Sequence, residues 1–372
     1  MNPPQHVRIA GLDGLRALSV IAVFLAHTGL AGVVGGGYVG VDVFFVLSGY
    51  LITSLLVAEQ LRTGRIDLPA FFWRRARRLY PALLLMLAGV TVYCLIFPAP
   101  LRWALEVLPA FFYAMNWVRA FEIYDAHLTG HTWTLAIEEQ FYLVWPLILL
   151  GVLKFWPRRI LIAVALLTVA VIGWRSFLIS HDFPMVRVYC GFDTHSDGLL
   201  IGALLAAAPR SWISRAGKLW PIAAAYICFV LLSETGVEFS LQALGYPLTP
   251  LAAALIIAKV VRDQRSGLVR VLNIAPLVGL GRVSYGFYLW HYVVLQSMLY
   301  GGHDTLGAFF GGFSHPDIAM VTITFVISMV LTLFSWFVVE KPAMGLRFPW
   351  RRRGDGPGRS RCARYAADEN AH

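Results

Sequence analysis

Chemistry can first be argued from Arg16 and His27. Both lie in GLDGLRALSVIAVFLAHTGL, residues 11–30, an apolar run long enough to cross a bilayer that still carries Asp13, Arg16 and His27. Their separation of eleven residues, at 100° each, makes about 1100°, three turns plus roughly 20°, so the two side chains share one helix face about 16 Å apart along its axis. Ionisable groups at membrane depth are expensive, and they mark a cavity or a working site more often than a lipid-facing surface. Taken singly, Arg16 snorkelling to the interface and His27 as a packed core residue are equally acceptable. Their shared face favours a site: a histidine that can move a proton, and an arginine about 16 Å away that can hold an anion.

Other stretches bring candidate partners to the level of His27. GYVGVDVFF carries Asp42, HTWTLAIEEQ carries His131, Glu138 and Glu139, and FDTHSDG carries Asp193, His195 and Asp197. A histidine base needs an orienting carboxylate, and Glu138 or Asp42 is expected to supply it, with Asp197 the weaker choice. Asp-x-His-x-Asp alone does not make a metal site, and no metal is expected. Trp133 and Trp290 are candidates to stack on a sugar ring, against the alternative of interface anchors. On the other side, Arg75 and Arg78, with Arg74 and Arg77 beside them, join Arg16. Guanidinium forks bind phosphate, against the alternative of plain topological charge. A ligand with phosphates at Arg16 and a reactive group at His27 needs an arm of about 16 Å, the sort of molecule that pantetheine joined to a nucleotide is.

The elements that must position these residues are membrane spans. The 372-residue chain is 58% hydrophobic and 14% charged, with repeated apolar runs, which indicates an all-α polytopic membrane protein. Its net charge of +10 resides in short loops between those runs, the positive-inside pattern, and does not point to nucleic acid. About ten spans are expected, near 12–31, 39–60, 79–98, 132–153, 160–180, 194–208, 219–233, 247–261, 283–300 and 317–339, with both termini cytoplasmic. The basic loop from Arg62 to Arg78 sets that orientation. Residues 101–123, with Arg102, Glu106, Arg119 and Glu122, are expected to form an external interfacial or re-entrant segment. The first run is too long for a cleaved leader and is expected to stay as a span. Residues 1–345 form the transmembrane domain, and 346–372 read as a basic, disordered cytoplasmic tail. The four cysteines are scattered and suggest neither a metal site nor a disulfide framework.

At this level of detail the chain resembles the acyltransferase-3 membrane proteins over about residues 8–345. The resemblance rests on Arg16 and His27 in LDGLRALSVIAVFLAH; on Phe44, Phe45, Ser48 and Gly49 of an FFxxSG element; and on Arg75 and Arg78 ahead of Pro81. It continues through His131, Trp133, Leu135 and Glu138, then Tyr288, Leu289, Trp290 and His291 of YLWH, and closes on Val339 to Pro342. It implies O-acylation of a glycan or other extracytoplasmic hydroxyl acceptor in a bacterial cytoplasmic (inner) membrane. It further implies acyl-CoA, acetyl-CoA by default, as the cytoplasmic co-substrate, with His27 as the catalytic histidine and Arg16, Arg75 and Arg78 as donor-handling residues. Trp133, His195, Asp197, Trp290 and His291 are the expected acceptor contacts. Many relatives carry Thr-Arg where this chain has Thr194 and His195, a departure that bears on acceptor choice. His27 acts either as a base on the hydroxyl or as an acyl carrier. The competing class is a proton-coupled transporter or lipid-linked sugar flippase, which displays the same intramembrane charges. Against that, no paired halves with interrupted helices are visible.

Overall fold

The computed structural model describes residues 9–28, 35–97, 102–156, 159–233, 245–300 and 316–346. Among them every regular element is helical. In chain order these are α1 (Ala10–His27), α2 (Val39–Thr63), α3 (Leu68–Ile96), α4 (Trp103–Phe111) and α5 (Met115–Ala120). A 3₁₀ turn (Gly130–Thr132) then leads into α6 (Trp133–Phe155), followed by α7 (Ile160–Ser180), α8 (Met185–Cys190), α9 (Phe192–His195) and α10 (Asp197–Ala207). Beyond these come α11 (Arg210–Ala216), α12 (Trp220–Leu232), α13 (Leu248–Arg262), α14 (Gly267–Leu272), α15 (Ala275–Tyr300) and α16 (Pro316–Ser335). A π turn (Trp336–Glu340) and α17 (Lys341–Met344) close the described chain. The tail expected at 346–372 lies, from 347 on, outside the described residues.

Seven helical stretches are long and apolar enough to cross a membrane: 10–27, 39–63, 68–96, 130–155, 160–180, 210–232 and 318–344. Large apolar side chains such as Leu166 and Val169 on α7, Leu147 on α6 and Val330 and Phe334 on α16 face outward, where hydrocarbon is their fitting solvent. This is a multi-pass membrane protein. Helix α15 is 26 residues long but less apolar, because Arg282, Ser284, His291 and Gln296 interrupt it.

Helices α1, α2, α10 and α15 form the centre, and glycines let them touch. A methyl group at Gly49 would stand 1.9 Å from the Leu199 carbonyl oxygen, and one at Gly202 would stand 2.1 Å from that of Val46, so α2 and α10 cross backbone to backbone. Gly281 does the same between α15 and α1, where a methyl would meet the Asp13 carbonyl oxygen at 1.8 Å.

Two expectations change. Of the arginines placed in a loop before residue 79, Arg74, Arg75, Arg77 and Arg78 lie inside α3, which begins at Leu68, while Arg62 belongs to the last turn of α2 and only Arg65 lies between the helices. Asp67 caps α3 by accepting from the Ala70 N–H at 3.0 Å, and Pro69 suits the first turn. The span expected at 194–208 is instead an eleven-residue helix from Asp197, about 16 Å long and too short to cross alone, preceded by the short α8 and α9. Residues 101–123, expected to be interfacial or re-entrant, fold as the two short helices α4 and α5. They are broken at Tyr113, whose φ is 51°.

Candidate active site

The site begins with a cavity of about 620 Å³ lined by α1, α2, α3, α6, α15 and the chain from Trp336 to Met344. Arg16, Arg75, Arg78 and Arg282 bring four guanidinium groups to its lining. Because α3 is helical through this stretch, Arg75 and Arg78 fall three residues apart on one face. Their neighbours point elsewhere: Arg74 pairs with Glu59 at 3.4 Å on the exposed surface, and Arg77 donates to the Leu346 carbonyl. Arg75 is fixed from two sides, by Glu139 at 3.1 Å and by the Tyr142 ring 3.5 Å from its guanidinium carbon. Arg16 lies 3.8 Å from Asp13. Arg78 has no carboxylate at ion-pair distance among the described residues, so its charge is available to a ligand.

Glu138 also lines this cavity and accepts a 2.6 Å hydrogen bond from Ser48 Oγ. The end nearest the histidines is closed by Thr134 and Tyr288, whose hydroxyls are 2.7 Å apart; Tyr288 also donates to the His131 carbonyl at 2.8 Å. The lining face of α15 is Gly281, Ser284, Tyr285 and Tyr288, an i, i+3, i+4, i+7 pattern.

Beyond Tyr288 lie three imidazoles. His27, exposed at the end of α1, places Nδ1 3.0 Å from Nε2 of the buried His291. The two rings stack with centroids 5.2 Å apart, and Tyr292 meets His27 edge-on at 5.0 Å. His291 Nδ1 is 3.2 Å from the Phe287 carbonyl, which can only accept. In neutral His291 the proton therefore sits on Nδ1 and Nε2 accepts, so His27 donates from Nδ1 and keeps its lone pair on Nε2. That pattern is the tautomer a histidine base or nucleophile needs. His131 completes the group, 5.8 Å from the His291 ring and 4.8 Å from that of Tyr292.

No orienting carboxylate reaches His27 among the described contacts. His291 fills that place; Glu138 is engaged with Ser48, and Asp42 with His195 Nε2 at 3.2 Å. His195 is buried in a second cluster, where its Nδ1 lies 2.7 Å from the Tyr189 carbonyl and its ring lies 5.8 Å from that of Trp133. Asp-x-His-x-Asp does not converge: Asp197 takes Arg175 at 2.8 Å in full burial, and Asp193 takes Arg187 at 2.6 Å. Burial tends to raise the Asp193 carboxyl, but hydrogen bonds from Arg187 and Trp174 outweigh it and hold the group below its ordinary range. Trp290 faces away from His291, against Gly89 in a groove between α3, α15 and α16. Phe45 packs edge-on against His195 at 5.3 Å, while Phe44 lines the cavity. No three His, Cys, Asp or Glu side chains group as metal ligands among the described residues.

Several residues of the site carry little signal in the sequence. The lining face of α15 was legible as a helical pattern, and Arg282 sits within that stretch. Arg175 gave no signal, as a single cation in an apolar run. Glu106 reads in the sequence as an external charge, yet it is fully buried. It accepts from the backbone N–H groups of His127, Leu128 and Thr129 at 2.8–3.1 Å and from Thr129 Oγ1, fixing the chain just before His131.

Comparison with known proteins adds the family. The acyltransferase domain model matches residues 9–341. O-acetyltransferase OatA of Staphylococcus aureus, from strains NCTC 8325 and COL, is 35% identical over 314 residues, covering 79% of this chain and 51% of the relative. The chain thus spans about half the length of the curated relatives it matches. No solved structure matches.

Proposed function

The chain belongs to the acyltransferase domain family, and from that premise we propose that it is a membrane O-acetyltransferase. It takes an acyl group, acetyl by default, from cytoplasmic acyl-CoA and delivers it to a hydroxyl of a glycan or other membrane-proximal acceptor on the opposite side. The observation that carries this reading is one unbroken helix, α1, linking an arginine-lined cavity to His27. The residues fit the donor: guanidinium groups suit its phosphates, and the cavity runs from them toward Thr134 and Tyr288 beside the histidines. About ten crossings, the sixth made by α8, α9 and α10 together, belong to the same proposal, as do both termini in the cytoplasm, a basic cytoplasmic tail beyond residue 345 and a bacterial inner membrane.

In this mechanism Arg16, Arg75 and Arg78 hold phosphate, with Arg75 kept in place by Glu139 and Tyr142. Ser48 fixes Glu138 in the wall of the donor cavity. His291 holds His27 with its lone pair on Nε2, and His27 takes the proton of the acceptor hydroxyl as it attacks, or itself receives the acyl group first. Asp42 and His195 tie the outer end of α2 to α9, and with Trp133 and Asp197 they shape the acceptor side. The test is acetyl-CoA binding by the purified protein in detergent. Wild type and His27→Ala are expected to bind alike, while Arg16→Ala binds about 10-fold or more weakly, the loss of one charge-assisted contact. Absence of binding by all three, with acetyl-CoA or a longer acyl-CoA, would overturn the donor assignment.

A further inference from the structure

His131 is the residue the mechanism above leaves unused, and it is unusual. It is 2% exposed, yet neither ring nitrogen makes a hydrogen bond of normal geometry among the described residues, although the Leu289 backbone lies close enough to interact with the ring. A buried polar group without a full partner is costly, so one held this firmly needs an occupant or a task. It is held firmly: Glu106 fastens the preceding loop, and Tyr288 binds its carbonyl. Its position is equally defined. His131 follows the Thr134–Tyr288 closure of the donor cavity and precedes the His27–His291 pair. A cation stands beside it, because Arg119 of α5 packs on Gly130, where an added methyl would meet Nη1 at 3.0 Å. Arg119 has no carboxylate at ion-pair distance among the described residues.

We propose that His131 is a catalytic residue that receives the carbonyl oxygen of the transferred acyl group, with Arg119 supplying positive potential behind it. This rests on the donor reading above. As the acceptor oxygen bonds to the thioester carbon, the carbonyl electron pair moves onto oxygen, facing the His131 N–H, and His27 Nε2 takes the hydroxyl proton. Collapse restores the carbonyl, breaks the carbon–sulfur bond and returns the proton from His27 to the departing thiolate. A neutral imidazole offers one N–H, enough for one oxyanion contact, and a buried site makes that contact worth more than it is in water.

The experiment uses the full chain in lipid nanodiscs, with acetyl-CoA as donor and a methyl glycoside as surrogate acceptor, following thiol release and acetyl-CoA affinity together. His131→Leu is expected to lower kcat about 10²–10³-fold, the range for losing one oxyanion donor, with acetyl-CoA affinity unchanged. His131→Gln, which keeps an N–H donor, is expected to recover at least a tenth of wild-type kcat with the same pH profile. Three results overturn the proposal: His131→Leu within threefold of wild type, His131→Gln as inactive as His131→Leu, or loss of acetyl-CoA affinity in both variants. Failure of the wild type to bind acetyl-CoA or release thiol falls instead on the donor reading and is separately visible.

Discussion

Gly49→Ala tests the geometry on which the site is built. The added Cβ would stand 1.9 Å from the Leu199 carbonyl oxygen and 2.7 and 2.9 Å from its carbon and Cα. These are backbone atoms, so no side chain can turn away. Ordinary contact begins near 3.4 Å, and α2 and α10 must separate by about 1.5 Å to reach it. The Asp42–His195 contact across that junction, 3.2 Å long, then leaves hydrogen-bonding range. Ser48, the residue before Gly49, shifts against Glu138. Overpacking of this kind costs about 1–3 kcal/mol, and a 1 Å displacement at a catalytic centre costs about 10²-fold in rate. The control is Gly173→Ala on α7, where nothing lies within 4 Å of the added carbon. It is expected to be neutral or to stabilise by about 0.5–1 kcal/mol, as alanine suits a helix interior better. Thermal unfolding in detergent and thiol release from acetyl-CoA read both variants. If Gly49→Ala unfolds at the same temperature as Gly173→Ala and turns over like wild type, the backbone crossing is not as tight as described.

The remaining predictions concern single interactions. Glu106→Ala strands the buried N–H groups of Leu128 and Thr129 at about 1–3 kcal/mol each, so the unfolding temperature falls and hydrogen exchange at 127–129 accelerates. His291→Phe removes the acceptor that sets the His27 tautomer and is expected to cut kcat about 10²-fold or more with acetyl-CoA affinity unchanged; equal kcat would detach His291 from the chemistry. Arg78→Ala should weaken acetyl-CoA binding about 10–100-fold, while Arg74→Ala, which loses only an exposed pair with Glu59, leaves it unchanged; isothermal titration of the two variants decides.

The sequence disclosed what is local to one helix. Arg16 and His27 belong to the same unbroken α1, so their shared face and spacing follow from helical geometry alone. The apolar runs gave most spans for the same reason. What stayed hidden depends on how helices meet. That His291 meets His27 follows from the register of α15 against α1, which is set where Gly281 touches the Asp13 backbone, a contact no periodicity contains. Arg75 and Arg78 looked like loop charges because a basic run at a span boundary has the same composition whether it is coiled or helical. The shortness of α10 was equally invisible: Asp197 looks like a span end, but its partner is Arg175, buried in the last third of the apolar helix α7.

The Thr134–Tyr288 pair has one more consequence, an electrical one. In the proposed orientation a wet cavity extends inward from the cytosol as far as these hydroxyls, and His27 is exposed on the other side. The insulating layer is then far thinner than the roughly 30 Å hydrocarbon core, and the membrane voltage falls mainly across it. Each elementary charge moved through that layer exchanges about 2.3 kcal/mol per 100 mV with the membrane potential. A neutral acyl group passes without that exchange, whereas a proton or a thiolate does not. On the proposed transfer, the two hydroxyls mark the layer that an acyl group must cross while the membrane stays energised.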